Sequence, residues 1–362
     1  MYIGIDGNEA NVDNLVGVSV YAQSLLSHFQ KKADSKTRFT IFLRNKPQNH
    51  LPKETEFYRY NTISPFFLFS QITLPLALMV QKDLDVFFSP AHYAPRVSPV
   101  PTIVTIHDLS YFYFPQEFLR KDLYQLKNWT KYSVKKAKKV ICVSKETKKD
   151  LIKFYKTPEE KIEVIYNGYE KTAIKPKSHR FKLFKERYIL YVGTLQPRKN
   201  IQTLIRAFQI FQKESPDFKL VLTGKKGWLY DKIFELVKTL NLQDRVVFTD
   251  YVPDGELITL YQNAFCFVLP SFYEGFGIPL LEAMAEGTPV IAAGSSALPE
   301  IGGDACLYFD PHNVNGLVRL LSRLKNDEDL RKKMIEEGKK RIKLFSWKKC
   351  SDETLKVIKS AV

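Results

Sequence analysis

Short apolar runs of strand length alternate with segments of helical period along this chain, and the alternation is played through twice. In the first half the strand-type runs are 2–6, 39–43, 85–89, 102–106, 140–144 and 163–165, and the segment 18–29 places Val20, Leu25, Leu26 and Phe29 at core spacing for a helix. Strands that are apolar on both faces and separated by helices imply a parallel sheet covered on both sides. The second half repeats the pattern with runs at 188–192, 219–223, 245–249, 266–269 and 289–292. Between the halves, 170–187 is polar, basic, interrupted by Pro176 and without core periodicity, which marks a linker. The expectation is an α/β protein of two doubly wound domains, 1–170 and 188–345, joined by 171–187.

A chain of 362 residues with 44% apolar content can give each domain a core. Its formal charge of +16 is unevenly placed: between Arg120 and Arg187, 21 Lys or Arg stand against 8 Asp or Glu. Such a patch suits anionic lipid, nucleic acid, nucleotide-bearing substrates or a plain solvated face. No zinc spacing, aromatic RNA-binding signature or basic heptad accompanies it, so nucleic acid is not expected. Cys142, Cys266, Cys306 and Cys350 are far apart in sequence, which fits free thiols in a reducing compartment. The chain opens on a strand-type run with no basic stretch before an apolar one, so no signal peptide is expected. The most apolar segment, 66–80, is too short to span a bilayer and reads as a core helix, with lipid contact as the alternative.

The stretch Ser271-Phe-Tyr-Glu-Gly-Phe-Gly-Ile-Pro-Leu-Leu-Glu282 joins a strand to a helix that begins near Pro279. Turns of this kind lie at the carboxyl edge of a parallel sheet, where ligands bind. Gly275 and Gly277 allow a sharp bend or close approach, and the helix start offers amides to an anion. Glu274 and Glu282 are eight positions apart, one in the turn and one about a helical turn inside, so their carboxylates can accept hydrogen bonds from vicinal hydroxyls. On the same edge, Gly193-Thr-Leu-Gln-Pro-Arg-Lys-Asn200 follows a strand, and Arg198 with Lys199 can neutralise a diphosphate. A third loop, Thr223-Gly-Lys-Lys-Gly227, adds charge there without P-loop spacing.

In the first half, the long loop between 7 and 17 is no dinucleotide fingerprint, though Gly17 directly before a helix leaves room for a ligand. His107-Asp108 follows the strand 102–106 and so stands at the carboxyl edge of its sheet, where a histidine is either structural or a hydrogen-bonding group. Asn167-Gly168 reads as a turn.

Glu274 with seven residues before Glu282, Gly193 followed by Arg198-Lys199-Asn200, Leu298-Pro-Glu-Ile-Gly-Gly-Asp-Ala305, His107-Asp108 and Asn167-Gly168 together resemble a retaining glycosyltransferase of family 4. The resemblance covers essentially the whole chain and is strongest from Tyr188 to Pro311. It implies the GT-B fold, with two Rossmann-like domains facing across a cleft, the first serving the acceptor and the second the nucleotide sugar. The last segment, 346–362, reads as a helix with Ser346 as cap and Trp347, Leu355 and Ile358 as apolar anchors; the resemblance implies that it packs back on the first domain, the alternative being a helix packed only on its own. Arg198 and Lys199 would hold the donor diphosphate, Glu274 the sugar hydroxyls, and Glu282 the ribose. The Phe276 and Gly277 amides would meet sugar or phosphate, His107 would lie near the transferred sugar, and Gly17 near the diphosphate. Gly193, Thr194, Gly224, Val252, Gly275 and Ile278 complete the implied donor-binding set. Two departures stand out: Thr194 replaces an arginine common in the family, and Gly17-Val18-Ser19 replaces a glycine-richer sequence.

The function so implied is metal-independent transfer of a hexose, mannose first, from a GDP- or UDP-linked sugar that is substrate rather than cofactor, to a glycan or lipid-linked acceptor. The expected location is cytoplasmic, with peripheral contact at the inner face of an anionic membrane. Two rivals share these residues: a nucleotide-sugar epimerase of the same fold, and a non-catalytic glycan-binding protein.

Overall fold

The twice-repeated alternation becomes two parallel sheets, each in its own unit. The computed structural model describes residues 1–64, 68–170 and 186–362, and the chain divides into a first unit, 1–168 with 345–362, and a second, 169–344. Residues 171–185, most of the expected linker, lie outside the described residues.

The first unit holds β1 (Tyr2–Asp6), β2 (Arg38–Leu43), β3 (Tyr58–Thr62), β4 (Val86–Ser89), β5 (Thr102–Ile106), β6 (Lys139–Cys142) and β7 (Ile162–Val164). They lie in the order β3-β2-β1-β4-β5-β6-β7, and the paired strands run parallel. Crossovers are supplied by α1 (Val18–Gln30), α2 (Thr73–Val80), α3 (Ser110–Tyr113), α4 (Arg120–Lys136) and α5 (Lys145–Tyr155). The edge strand β3 is absent from the sequence reading, because Tyr-Arg-Tyr-Asn-Thr mixes polar and aromatic residues and lacks the apolar signature of a buried strand. The strand expected to reach 144 stops at Cys142, since Ser144 leaves the ladder to cap α5, its hydroxyl accepting the Thr147 amide at 3.1 Å.

The expected core helix over 66–80 is corrected. Its helical part is α2 alone, with Leu74 and Leu78 buried but Ile72, Leu76, Met79 and Val80 exposed; Phe66 lies outside the described residues.

The second unit holds β8 (Arg187–Val192), β9 (Phe218–Thr223), β10 (Val246–Asp250), β11 (Cys266–Leu269), β12 (Val290–Ala293) and β13 (Cys306–Phe309). Its helices are α6 (Ile201–Phe211), α7 (Asp231–Thr239), α8 (Asp254–Asn263), α9 (Ile278–Ala285), α10 (Leu298–Gly302), α11 (Val314–Asn326) and α12 (Glu328–Arg341). The strand order is β10-β9-β8-β11-β12-β13, with neighbours parallel. Strand β13, a short run after Leu298–Gly302, is also missing from the sequence reading. The chain reverses direction across the sheet between β8 and β11, which makes their carboxyl ends the switch point where open α/β sheets bind ligands.

The last helix, α13 (Trp347–Lys359), belongs to the first unit. Trp347, Cys350, Leu355 and Ile358 are buried in one cluster with Ile3, Tyr21, Leu25 and Phe29, and the Ser346 hydroxyl caps the helix by accepting the Lys349 amide at 3.1 Å. The Asn167-Gly168 turn is explained by this packing, because a Cβ at Gly168 would stand 2.1 Å from the Trp347 nitrogen. All four cysteines are free and buried.

Candidate functional site

At the switch point of the second unit, the loop after β8 meets the loop after β11. Asn200 adopts a left-handed conformation (φ 55°) and its amide donates to the carbonyls of Pro270 at 3.0 Å and Pro311 at 2.7 Å. That turn holds the preceding Pro197–Lys199 segment against the second loop, where the Phe272 amide donates to the Arg198 carbonyl at 2.9 Å. The Arg198 guanidinium donates to the Tyr273 carbonyl at 3.2 Å. Lys199 Nζ donates to Glu274 Oε1 at 2.6 Å, and the Ser271 hydroxyl donates to the same oxygen at 2.6 Å. Both partners of the ion pair are largely buried, Lys199 with 15% and Glu274 with 12% of its side chain exposed.

Burial pushes the Glu274 carboxyl up, but Lys199 and then Arg198 outweigh it and hold the group below the ordinary carboxylate range. Glu274 is therefore ionised, its charge matched by Lys199, and Arg198 adds a second cation to the same corner. Beyond Glu274 the chain bends through Gly277, whose φ of 100° is open to glycine alone at low cost, into the amino terminus of α9. A Cβ there would also approach Leu298 to 2.8 Å. Phe276 is buried and Ile278 begins the helix.

Glu282 lies in α9 and accepts the Tyr261 hydroxyl at 2.9 Å. Burial raises its pKa, the Tyr261 bond opposes this, and Asp254 adds to the rise. Glu274 in the loop before α9 and Glu282 inside α9 thus have opposite electrostatic environments. Thr194 is exposed in the loop after β8. Gly193 and Gly224 are brought together: a Cβ at Gly224 would lie 2.1 Å from the Gly193 carbonyl oxygen, and the Gly193 amide donates to the Thr223 carbonyl at 2.9 Å. Gly224 is required by this backbone packing between two loops, whereas a Cβ at Gly193 would meet the Tyr191 hydroxyl at 2.8 Å. Val252 is buried just after β10.

In the first unit, Gly17 caps α1 with φ 51° and nothing stands within 4 Å of its missing Cβ, so space opens in front of it. His107 is buried at the end of β5. Its Nε2 bonds the Pro90 carbonyl at 2.8 Å, which assigns the proton to that nitrogen, and its ring meets the Tyr21 ring edge-on at 4.8 Å. Burial, then the neighbouring His92, lower its pKa to about 4. At neutral pH it is an uncharged imidazole.

Sequence reading missed three groups. Tyr261 holds Glu282, Ser296 accepts the Glu274 amide at 2.8 Å, and His92 stands 6.0 Å from His107 with its Nδ1 buried among the described residues without a hydrogen-bond partner. Ser296 carries φ 50°, a conformation a serine seldom takes, which the sequence does not signal. Among the described residues no group of three His, Cys, Asp or Glu side chains is placed to hold a metal ion.

Two family descriptions match this chain in succession: Glycosyltransferase Family 4 over residues 16–172 and Glycosyl transferases group 1 over 174–341. The chain is 30% identical over 342 residues to O-antigen chain mannosyltransferase B of Escherichia coli, covering 91% of this chain and 86% of that one. It is 35% identical over 227 residues to O-antigen chain mannosyltransferase RfbU of Salmonella typhimurium, covering 63% of this chain and 61% of that one. Among solved structures it is similar to sucrose-phosphate synthase of Thermosynechococcus elongatus, with a TM-score of 0.76 at 21% identity over 99% of this chain and 98% of that one. It is also similar to Anabaena HepE in complex with UDP and glucose, with a TM-score of 0.75 at 18% identity over 99% of each chain. The chain belongs to glycosyltransferase family 4, has the GT-B fold, and is a glycosyltransferase.

Proposed function

We propose that the enzyme transfers a mannosyl group, with retention, from GDP-mannose to a glycan or lipid-linked acceptor, and that it does so without a metal ion. The observation that carries this reading is the Arg198, Lys199 and Glu274 cluster at the switch point of the second unit, directly before the amino terminus of α9. Breaking the anomeric bond leaves negative charge on the departing diphosphate and positive charge on the sugar ring. Two cations and a helix terminus at fixed positions act where that negative charge develops and need little reorganisation. Glu274, kept ionised by Lys199, offers lone pairs to sugar hydroxyls, and Glu282 accepts from the ribose. Gly193, Thr194, Gly224, Val252, Gly275, Phe276 and Ile278 line the donor, and in the first unit the neutral His107 serves as a hydrogen-bonding group. The donor sugar is consumed as substrate, and no further cofactor enters.

Mannose and an O-antigen-type acceptor are favoured by the relatives, two of which are named O-antigen chain mannosyltransferases. A lipid-linked acceptor brings the enzyme to the cytoplasmic face of an anionic membrane. Among the described residues no helix is long and apolar enough to cross a membrane.

The test is a thermal-shift panel of GDP, UDP, ADP and their sugars. Binding to the native state raises apparent stability by mass action, by about 2.7 kcal/mol at a hundredfold excess over Kd. GDP and GDP-mannose should give the largest shifts. A larger shift with UDP-glucose would replace the donor, no shift with any nucleotide would favour a non-catalytic glycan-binding protein, and donor conversion without acceptor would indicate an epimerase.

A further inference from the structure

One face of the first unit is not explained by glycosyl transfer. Helix α2 is apolar all round, with Leu74 and Leu78 in the core. Its other side carries Ile72, Leu76, Met79 and Val80, spaced as one helical stripe, and Leu76 and Val80 are 59% and 82% exposed. A stripe of four large apolar side chains in water is unfavourable unless something covers it.

The surface beside this stripe is strongly cationic. The Arg96 amide donates to the Ser70 carbonyl at 2.9 Å, and Val100 packs against the cluster that holds Leu74 and Leu78, so the 95–101 loop adjoins α2. A cavity of about 520 Å³ is lined by Gln71, just before α2, together with Arg96 and α4 residues that include Trp129, Lys131 and Lys135. A second, of about 570 Å³, shares Arg96 and Tyr132 with the first and adds Lys136, Lys138 and Lys161. The two linings together contain six cations and no carboxylate. The Arg96 guanidinium lies over the Tyr132 ring at 3.9 Å, and Lys161, whose pKa burial lowers, donates to the Lys135 carbonyl at 2.8 Å. These cations are positioned, with aromatic and aliphatic walls, around space that an anion can enter.

We propose that this face docks on an anionic lipid surface, with the α2 stripe entering the headgroup and acyl boundary and the Arg96–Lys135–Lys161 groove taking lipid phosphates. It deepens the reading of a lipid-linked acceptor by naming the surface that reaches the membrane. The combination decides the occupant. A polyanion such as nucleic acid would account for the groove but leave the stripe in water, and a second protein copy would cover the stripe but bring cations against cations. A bilayer with acidic headgroups satisfies both, because apolar burial and charge attraction add at one interface.

The experiment is co-sedimentation of the full chain with vesicles of phosphatidylcholine alone, and with vesicles of phosphatidylcholine and phosphatidylglycerol in equal parts. The wild-type chain should partition onto the acidic vesicles, stay in solution with the neutral ones, and be released by high salt. Each surface lysine contributes about fivefold to such partition, so Lys131→Ala with Lys135→Ala should lower it roughly twenty-five-fold. Leu76→Ser with Met79→Ser should lower partition onto the acidic vesicles at low salt, and circular dichroism reports whether each variant is folded. Equal binding to both vesicles, no binding to either, or unchanged partition in both folded variants overturns the proposal. So does a dimer that Leu76→Ser abolishes while vesicle binding persists, or tighter binding to a DNA duplex than to acidic vesicles. Vesicle partition uses neither donor nor acceptor, so its failure leaves the mannosyl-transfer reading standing, and loss of that reading leaves the vesicle result intact.

Discussion

The carboxyl edges of the two sheets make an informative pair. Six strands of the first unit, β3-β2-β1-β4-β5-β6, and the six of the second, β10-β9-β8-β11-β12-β13, have the same order, so each reverses at the equivalent place. The edges nevertheless carry opposite chemistry. In the second unit Arg198, Lys199 and Glu274 put ionised groups at the reversal. The first unit places buried histidines and tyrosines near its edge, with His107 and His92 both pushed toward the neutral form by burial. One edge presents ionised side chains and the other neutral imidazole rings. Strand order sets where a ligand goes, and only the loop residues set what kind it is.

Lys199→Ala tests the charged edge most severely. Steady-state transfer should fall by about a hundredfold to a thousandfold, as for loss of one preorganised stabiliser of developing charge, while circular dichroism stays native. Wild-type turnover in that variant would remove the distinction between the edges. Next in size is the division between Glu274 in the loop before α9 and Glu282 inside it. Glu274→Gln should lower kcat by about a hundredfold with nucleotide affinity within a few-fold, whereas Glu282→Ala should weaken nucleotide binding by about tenfold, near 1.4 kcal/mol, as read by calorimetry. Equal effects of both changes on both quantities would show that the two carboxylates do not divide their roles.

The smallest effect belongs to the neutral edge. The His107 pKa is lowered to about 4 from the ordinary 6.5. Above about pH 6.5 the group is neutral both folded and unfolded and stability does not depend on it. As pH falls from 6.5 toward 4 the unfolded chain takes up a proton that the native chain refuses, so stability is lost across that window, by as much as about 3 kcal/mol. Calorimetric melting at pH 7 and pH 5 should show the loss, and His107→Gln should flatten it. An unchanged slope in that variant would assign the acid sensitivity to other groups.

Much of this was legible in the sequence, for a physical reason. Strands such as β9 and β11 are buried on both faces, so their apolar runs announce them. Edge strand β3 is relieved of that requirement on one side and reads as a polar loop. The charged corner was legible because Arg198, Lys199 and Glu274 stand in loops whose position follows from strand and helix boundaries. Tyr261 and Ser296 reach Glu282 and Glu274 from 21 and 22 residues away, through strand and helix packing that no local spacing reveals. Apolar content misled at α2, where composition reports how apolar a segment is but not which side of it faces protein.

The place of α13 bears on how the chain is made. Residues 169–344 form the second unit as one uninterrupted stretch, so that unit can fold as soon as it leaves the ribosome. The first unit is synthesised earlier, yet the cluster holding Ile3, Tyr21, Leu25 and Phe29 is closed by Trp347, Leu355, Ile358 and Ala361. Throughout synthesis of the second unit, the apolar side of β1 and α1 waits uncovered, a period in which exposed core surface invites misassembly. The unit begun first is therefore the one completed last, and agents that terminate translation early would yield a folded second unit attached to an unfinished first.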